Sequence, residues 1–352
     1  MKFGLMTQIQ IPRPWTETSE REAFWNALKQ AERADQVGYQ YFWLTEQHFL
    51  AEIGHSPATD MFLAALSQRT KKIRLGLGVV ILPLHHPFMI AERVATLDVL
   101  SNGRAEFGTG RGTTNYILDG FGVDPNTARE RGAEALDAVL AIYDEPRFKG
   151  FKSKYFDLPA REVVPRPIQR PHPPLWVAAT NLSTYEYAAR QGLGVLGVTR
   201  NSIEETKIAV DRYHAVGRSE KPTVARKANH SVAVFGIGMC HQDDATGRAM
   251  ACKAARWYYG DNDAELNPAR FALAEGGFEG VRSRISKQSD DELISSGMAI
   301  GGNPDTVCRT VEKWATAGID QFIIFMQVGF ESHDAVMRSI ELFGEKVIPR
   351  FS

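Results

Sequence analysis

Short apolar runs of strand length alternate along the chain with longer stretches whose apolar residues recur every three to four positions. Lys2–Gln8 reads as a first strand, and the helix after it places Ala23, Phe24, Ala27, Leu28, Ala31 and Ala34 on one face, with Ser19 or Thr18 as its cap and Gly38 as its stop. Tyr41–Glu46 is an aromatic strand. A helix opened by Pro57 follows, with Met61, Phe62, Ala65 and Leu66 in register. Ile73–Leu82 is a long strand, Pro87 starts a third helix that Asn102-Gly103 ends, Ala105–Thr109 is a fourth strand and Arg129–Tyr143 a fourth helix. The alternation resumes with strands at Leu175–Ala179, Gly194–Val198, Ser231–Met239 and Gln321–Met326, separated by helices at Ser183–Gln191, Ile203–Val216, Asp243–Tyr258 and Pro304–Ala317, with a last helix at His333–Glu345.

Eight strands separated by helices imply right-handed crossovers and a parallel sheet, which closes naturally as a (β/α)8 TIM barrel. An open doubly wound sheet is the competing architecture, but the first strand–helix junction carries no GxGxxG turn. Two segments break the rhythm. Residues 144–174 are rich in Pro, Lys and Arg and read as a connection with a small hairpin around Tyr155–Leu158. Residues 259–300 read as an insertion, a candidate lid with Gly276, Gly277 and Gly280 as hinges.

Composition changes this picture little. A domain prior of about 150 residues would divide the 352-residue chain in two, but barrels routinely exceed it, so one barrel domain over 1–352 is expected. The net charge of −1 gives no electrostatic reason to expect a nucleic-acid or anionic-membrane partner. Cys240, Cys252 and Cys308 form no CxxC pair, and the N-terminal apolar run meets Pro12 and Pro14 too early for a signal peptide; a cytoplasmic location is expected.

Barrel chemistry belongs at the C-terminal ends of the strands. There the second strand ends in Glu46-Gln47-His48, the third leads to His85-His86-Pro87, the fourth runs through Gly110-Arg111-Gly112-Thr113, and the fifth reaches Thr180 and Asn181, with Ser183 and Thr184 at a helix start. Arg111 between glycines can bring a guanidinium close to a phosphate, and a helix N-terminus favours the same group. The plainer alternative is a surface ion pair and ordinary helix caps. A metal set built on Glu46, His48 and His85 or His86 lacks an HxH or HxxxH spacing. There is no P-loop and no GxSxG elbow.

WLTEQHF (43–49), TKKIRLGLGVVILPLHHP (70–87) and LDVLSNGRAEFGTGRG (97–112), with IGGNPDTVCRTVEKWATAGIDQFIIF and ELFGEKVIP near the C-terminus, resemble the bacterial luciferase-like, flavin-dependent monooxygenases, the luciferase α subunit among them. The likeness runs over almost the whole chain. It implies FMN, bound reduced, at the mouth of the barrel. Its phosphate would be held by Arg111 and the Thr180, Asn181 and Thr184 segment, with Thr113 and Ala178 beside them, Glu46 inside the pocket, and a non-prolyl cis peptide at Gly78-Val79 against the flavin ring. It further implies reaction of FMNH2 with O2 through a C4a-hydroperoxyflavin, a separate flavin reductase, a small and largely apolar substrate, and a homodimer joined through helices around residues 57–100.

One departure stands out. Where the light-emitting enzymes have a catalytic histidine this chain has Gln47, which cannot exchange a proton near neutrality; His48 and His86 become the acid–base candidates. Trp15, Thr199 and Arg200 are candidates for the substrate pocket, and Trp257, Tyr258 and Tyr259 for its wall. Two alternatives remain, an oxidoreductase using the deazaflavin F420 and a non-catalytic flavin-binding protein.

Overall fold

A computed structural model of the chain describes residues 1–112, 114–199, 201–259 and 285–351. Eight parallel strands close into a barrel: β1 (Lys2–Thr7), β2 (Tyr41–Leu44), β3 (Arg74–Ile81), β4 (Ala105–Gly110), β5 (Leu175–Ala178), β6 (Gly194–Val198), β7 (Val232–Cys240) and β9 (Gln321–Phe325), which returns to β1. The helices pack outside. β2 and β9 are buried at every position, as expected of parallel strands covered on both faces.

β8 (Ala299–Gly302) was not expected. It pairs with the second half of β7, Ile237–Cys240, whose first half pairs with β9. The nine-residue β7 is long enough to serve both neighbours. The 259–300 segment therefore contains the start of a strand as well as a short helix, Asp290–Ser295; Gly276, Gly277 and Gly280 lie outside the described residues. A short helix, Asn115–Gly120, was also missed, and an antiparallel hairpin in the 144–174 connection pairs Phe151–Lys152 with Asp157–Leu158. In α2 (Thr59–Ser67) the inward face is Phe62, Leu63 and Leu66, whereas Met61, expected in register with Phe62 and Leu66, is 71% exposed. Around α2, α1 is Ser19–Gln36 and α3 is Pro87–Leu100.

The barrel interior is filled by aromatic rings. Trp43 stacks on Tyr41 and meets Trp176 edge-on at 5.5 Å. Gly76 makes the room: a Cβ there would lie 2.1 Å from the Trp43 ring. At the N-terminal floor, buried Glu106 accepts hydrogen bonds from Arg74 and from Trp176 Nε1 (2.5 Å). Burial pushes the Glu106 carboxyl up, and Arg74 and Trp176 only partly pull it back. The cavity lies above Trp43, at the C-terminal ends of the strands.

Candidate active site

Above Trp43 the C-terminal strand ends surround a cavity of about 520 Å³. Its wall includes Glu46, Gln47, Gly78, Val79, Arg111, Ala178, Thr180, Asn181 and Thr184, nine of the twelve residues expected there. Thr113 lies outside the described residues. The Gly78–Val79 bond is cis.

One part of the rim is built for an anion. β5 ends at Ala178, and Asn181 caps the helix Leu182–Gln191 by accepting hydrogen bonds from Thr184 N (3.0 Å), Thr184 Oγ1 (2.9 Å) and Ser183 Oγ (2.8 Å). The other N–H groups of that first turn keep their partial positive charge toward the mouth. Asn201 holds the preceding turn through the Thr180 carbonyl (3.2 Å). Arg111 arrives from the end of β4, and Arg129 from the first turn of α5 (Ala128–Asp144), its guanidinium 5.6 Å from the centre of the Tyr187 ring. Both arginines line the cavity, and among the described residues neither has a carboxylate partner. Two guanidiniums without a carboxylate partner among the described residues, beside a helix N-terminus, have the chemistry to hold an anion. Arg129 and Tyr187 escaped the sequence analysis. The readable signal was that Arg129 has no acid three or four residues away on its own helix.

Glu46 is the centre of a second cluster. Its Oε1 accepts from His48 Nε2 (2.8 Å) and His85 Nε2 (2.7 Å), and its Oε2 from Ile81 N (2.9 Å). Burial pushes the carboxyl up, but the hydrogen bonds from His48, His85 and Ile81 outweigh it and hold the group at about 2. Both imidazoles point at the carboxylate, and among the described residues no three His, Cys, Asp or Glu side chains are arranged to hold a metal.

His48 and His86 do not line the cavity. His48 reaches it only through Glu46. His86 is exposed: it caps α3, its Nδ1 accepting from Phe88 N (3.3 Å), and its ring lies against Phe88. The histidine that joins Glu46 is the neighbouring His85. The 3-10 turn Leu82–Leu84 brings it inward, and the extended residue before Pro87 turns the next side chain out.

The wall made by β1 and β2 is polar in a different way. Gln8 Nε2 donates to Tyr258 Oη (3.1 Å) and Gln10 Nε2 to Gln8 Oε1 (3.2 Å). Trp43, Thr45 and Gln47, at alternate positions of one extended segment, all line the cavity and are at least nine-tenths buried. Among the described residues Trp43 Nε1, Thr45 Oγ1 and Gln47 Oε1 have no hydrogen-bond partner. Each such atom costs about 1–3 kcal/mol when left dry. Tyr259 completes this side with Tyr258. Trp257 packs instead on Phe330, Trp15 donates to Ile11 O (2.7 Å) away from the cavity, and buried Thr199 does not reach it; Arg200 is outside the described residues. Apolar lining comes from Met6, Ile53, Leu196, Phe235 and Ile323.

The chain is 31% identical over 342 residues to 4-hydroxyprotoasukamycin monooxygenase of Streptomyces nodosus subsp. asukaensis, covering 94% of this chain and 87% of the relative. It is 28% identical over 369 residues to the oxygenase component of a flavin-dependent trigonelline monooxygenase of Acinetobacter baylyi, covering 100% and 96%. Among solved structures, a monooxygenase from Streptomyces bottropensis superposes with a TM-score of 0.82 at 26% identity, each chain covered completely. The model of one family, the luciferase-like monooxygenases, matches residues 1–321, and the chain belongs to that family.

Proposed function

We propose that the protein is the oxygenase of a two-component, flavin-dependent monooxygenase, using FMN reduced by a separate reductase, and O2, to oxygenate a small organic molecule. The observation that carries the reading is the pair of arginines, Arg111 and Arg129, with no carboxylate partner among the described residues, beside the Asn181-capped helix at one end of a barrel-mouth cavity. A phosphomonoester carries between one and a half and two negative charges near neutrality, so two guanidiniums suit it.

Reduced FMN, when bound, supplies the two electrons with which O2 is activated; one oxygen atom enters the substrate and the other leaves as water. The chain supplies position, charge and dryness. Arg111 and Arg129 hold the phosphate, assisted by the N–H groups of the helix behind Asn181. Glu46, kept ionised by its three donors, ties the end of β2 to the end of β3 at Ile81 and so fixes the wall carrying Gly78 and Val79. Met6, Ile53, Phe235 and Ile323 exclude water, which matters for any reactive oxygen species formed there. Gln47 orients without exchanging protons, and the imidazoles of His48 and His85 hold the Glu46 carboxylate in place at the cavity wall.

A homodimer is part of the same reading. Met61, Met89, Val99 and Leu100 on α2 and α3 are 71%, 46%, 43% and 46% exposed, an apolar face suited to a second copy. The test of function is an anaerobic titration with FMNH2, reduced riboflavin and reduced F420, followed by oxygen-uptake measurements. A preference for FMNH2 over reduced riboflavin of about tenfold or more supports the reading. A preference for reduced F420 overturns the FMN assignment, and FMNH2 binding with no oxygen uptake points to a flavin binder.

A further inference from the structure

β1 stands opposite β5 in the ring of eight strands, so the loop after β1 lies across the mouth from the Arg111 and Asn181 rim. A chain of hydrogen bonds runs through that loop, and its direction is fixed at its start. Gly329 N donates to Gln10 Oε1 (2.8 Å), Gln10 Nε2 to Gln8 Oε1 (3.2 Å), and Gln8 Nε2 to Tyr258 Oη (3.1 Å). A backbone N–H can only donate, so it decides which way round the Gln10 amide lies, and Gln10 then decides Gln8. Tyr258 therefore receives, and a hydroxyl that accepts through its oxygen keeps its own hydrogen to give.

The frame behind the chain is stiff. Ile9, between the two glutamines, is buried and left-handed (φ 53°), a conformation that a β-branched residue rarely adopts and that persists only where its surroundings enforce it. Its N–H donates to Thr7 Oγ1 (3.1 Å), and its carbonyl accepts from His55 N (3.1 Å). The Tyr258 ring meets Tyr259 and Phe325 edge-on, with centroids 5.0 and 5.7 Å away. Gln8 and Tyr258 both line the cavity, as do Met6, Phe235 and Ile323 from β1, β7 and β9. Arg111 and Arg129 stand on the far side of the mouth, so the donors on this side are uncharged and suit an uncharged acceptor.

We propose that Tyr258 determines substrate specificity by donating a hydrogen bond to an uncharged acceptor oxygen of the substrate, with Gln8 and Gln10 as the positioning residues that set its direction. The inference rests on the proposed function and adds to it which side of the cavity reads the substrate and which chemistry it reads. Met6, Phe235 and Ile323 take the apolar remainder of the molecule. A site built to make a hydrogen bond rejects an analogue lacking the matching atom, because its own polar group is then left unpaired.

The test uses FMN-loaded protein and two probes: 2-hexanone, which accepts a hydrogen bond, and 2-methyl-1-hexene, of the same shape with CH2 in place of the oxygen. Binding is read from the flavin absorbance in the wild type, in Tyr258→Phe and in Gln8→Glu. Comparing each variant with the wild type, probe by probe, cancels the different hydration of ketone and alkene. Gln8→Glu keeps the side-chain length and reverses the chain, because an ionised carboxylate accepts from Tyr258 and turns its hydrogen away from the cavity. Both variants are expected to weaken 2-hexanone about fivefold, with 2-methyl-1-hexene and FMN within about twofold of wild type. No binding of 2-hexanone to the wild type, or ketone affinity unchanged in either variant, overturns the assignment. So does equal weakening of both probes, the mark of a purely structural role. A loss of FMN affinity of about tenfold in Tyr258→Phe overturns it too, making this side a reader of the flavin ring. Failure of the wild type to bind FMN at all strikes the cofactor reading instead, and the loading step registers it before either probe is added.

Discussion

The floor and the mouth of this barrel treat polar groups in opposite ways. At the floor, Glu106 is answered by Arg74 and Trp176; Arg74 also donates to Gln169 Oε1 (2.9 Å), and Gln169 donates in turn to Asp98 Oδ1 (2.7 Å) and Ala105 O (2.8 Å). Arg104 beside them donates to Ser67 O, Ile73 O and Ser101 O at 2.7–2.8 Å. At the mouth, among the described residues, Arg111 and Arg129 lack carboxylate partners, and Thr45 Oγ1 and Gln47 Oε1 lack hydrogen-bond partners. Charges satisfied inside the protein serve the fold. Charges left unanswered around a cavity are available to something that binds there, and the fold bears the cost of keeping them so.

The comparison breaks most severely if the floor is opened. Arg74→Ala leaves Glu106 buried without its cation and should cost about 3 kcal/mol of unfolding free energy in urea, with FMN affinity of the folded protein unchanged. Loss of FMN affinity with intact stability would reverse the roles assigned to the two ends. Next in size, the double variant Arg111→Ala/Arg129→Ala should weaken FMN by about 3 kcal/mol, roughly a hundredfold, while riboflavin affinity and thermal midpoint hold. Equal weakening of riboflavin would show that the arginines do not read the phosphate.

Asn181→Ala touches both sides of the contrast, since Asn181 caps a helix and orders the rim. It should cost about 1 kcal/mol of stability and reduce FMN affinity by a smaller factor than the double arginine variant, as denaturation and titration of one preparation can check. The smallest effect is on pH dependence at the floor side. His172 Nε2 accepts from Arg226 N (3.1 Å) and its ring is buried, and burial lowers its pKa below the ordinary 6.5. Its contribution to stability is therefore complete above about 6.5 and is lost as pH falls through the lower folded value. Glu46, held at about 2, behaves likewise in a more acidic window, its contribution being complete above about 4.5 and fading toward 2. Unfolding followed from pH 7 to 3 should lose stability in two steps, with His172→Gln reducing the upper one, to which His333, lowered by burial too, also contributes. A single step below pH 4.5 would deny His172 its role.

Eight strands, most of the helices and the barrel were legible because parallel strands buried on both faces read as continuous apolar runs, and helices as a period of 3.6. Arg111, Thr180, Asn181 and Glu46 were legible because each stands where a strand ends or a helix begins, so chain position alone put them at one end of the barrel. β8 was not, because AIGG has little strand character and exists as a strand only because the far half of β7 offers it an unpaired edge.

What the sequence determined, then, was what local forces determine: period, caps, turns, and the order of elements from which a barrel follows. The tertiary structure alone decided which of two adjacent histidines faces inward, since His85 and His86 differ by the path of one short turn. It also brought Arg129 from α5 and Arg111 from β4 to one cavity, and left Trp43 Nε1, Thr45 Oγ1 and Gln47 Oε1 without hydrogen-bond partners among the described residues. Those are statements about which distant atoms meet and which do not, and no periodicity along a chain records them.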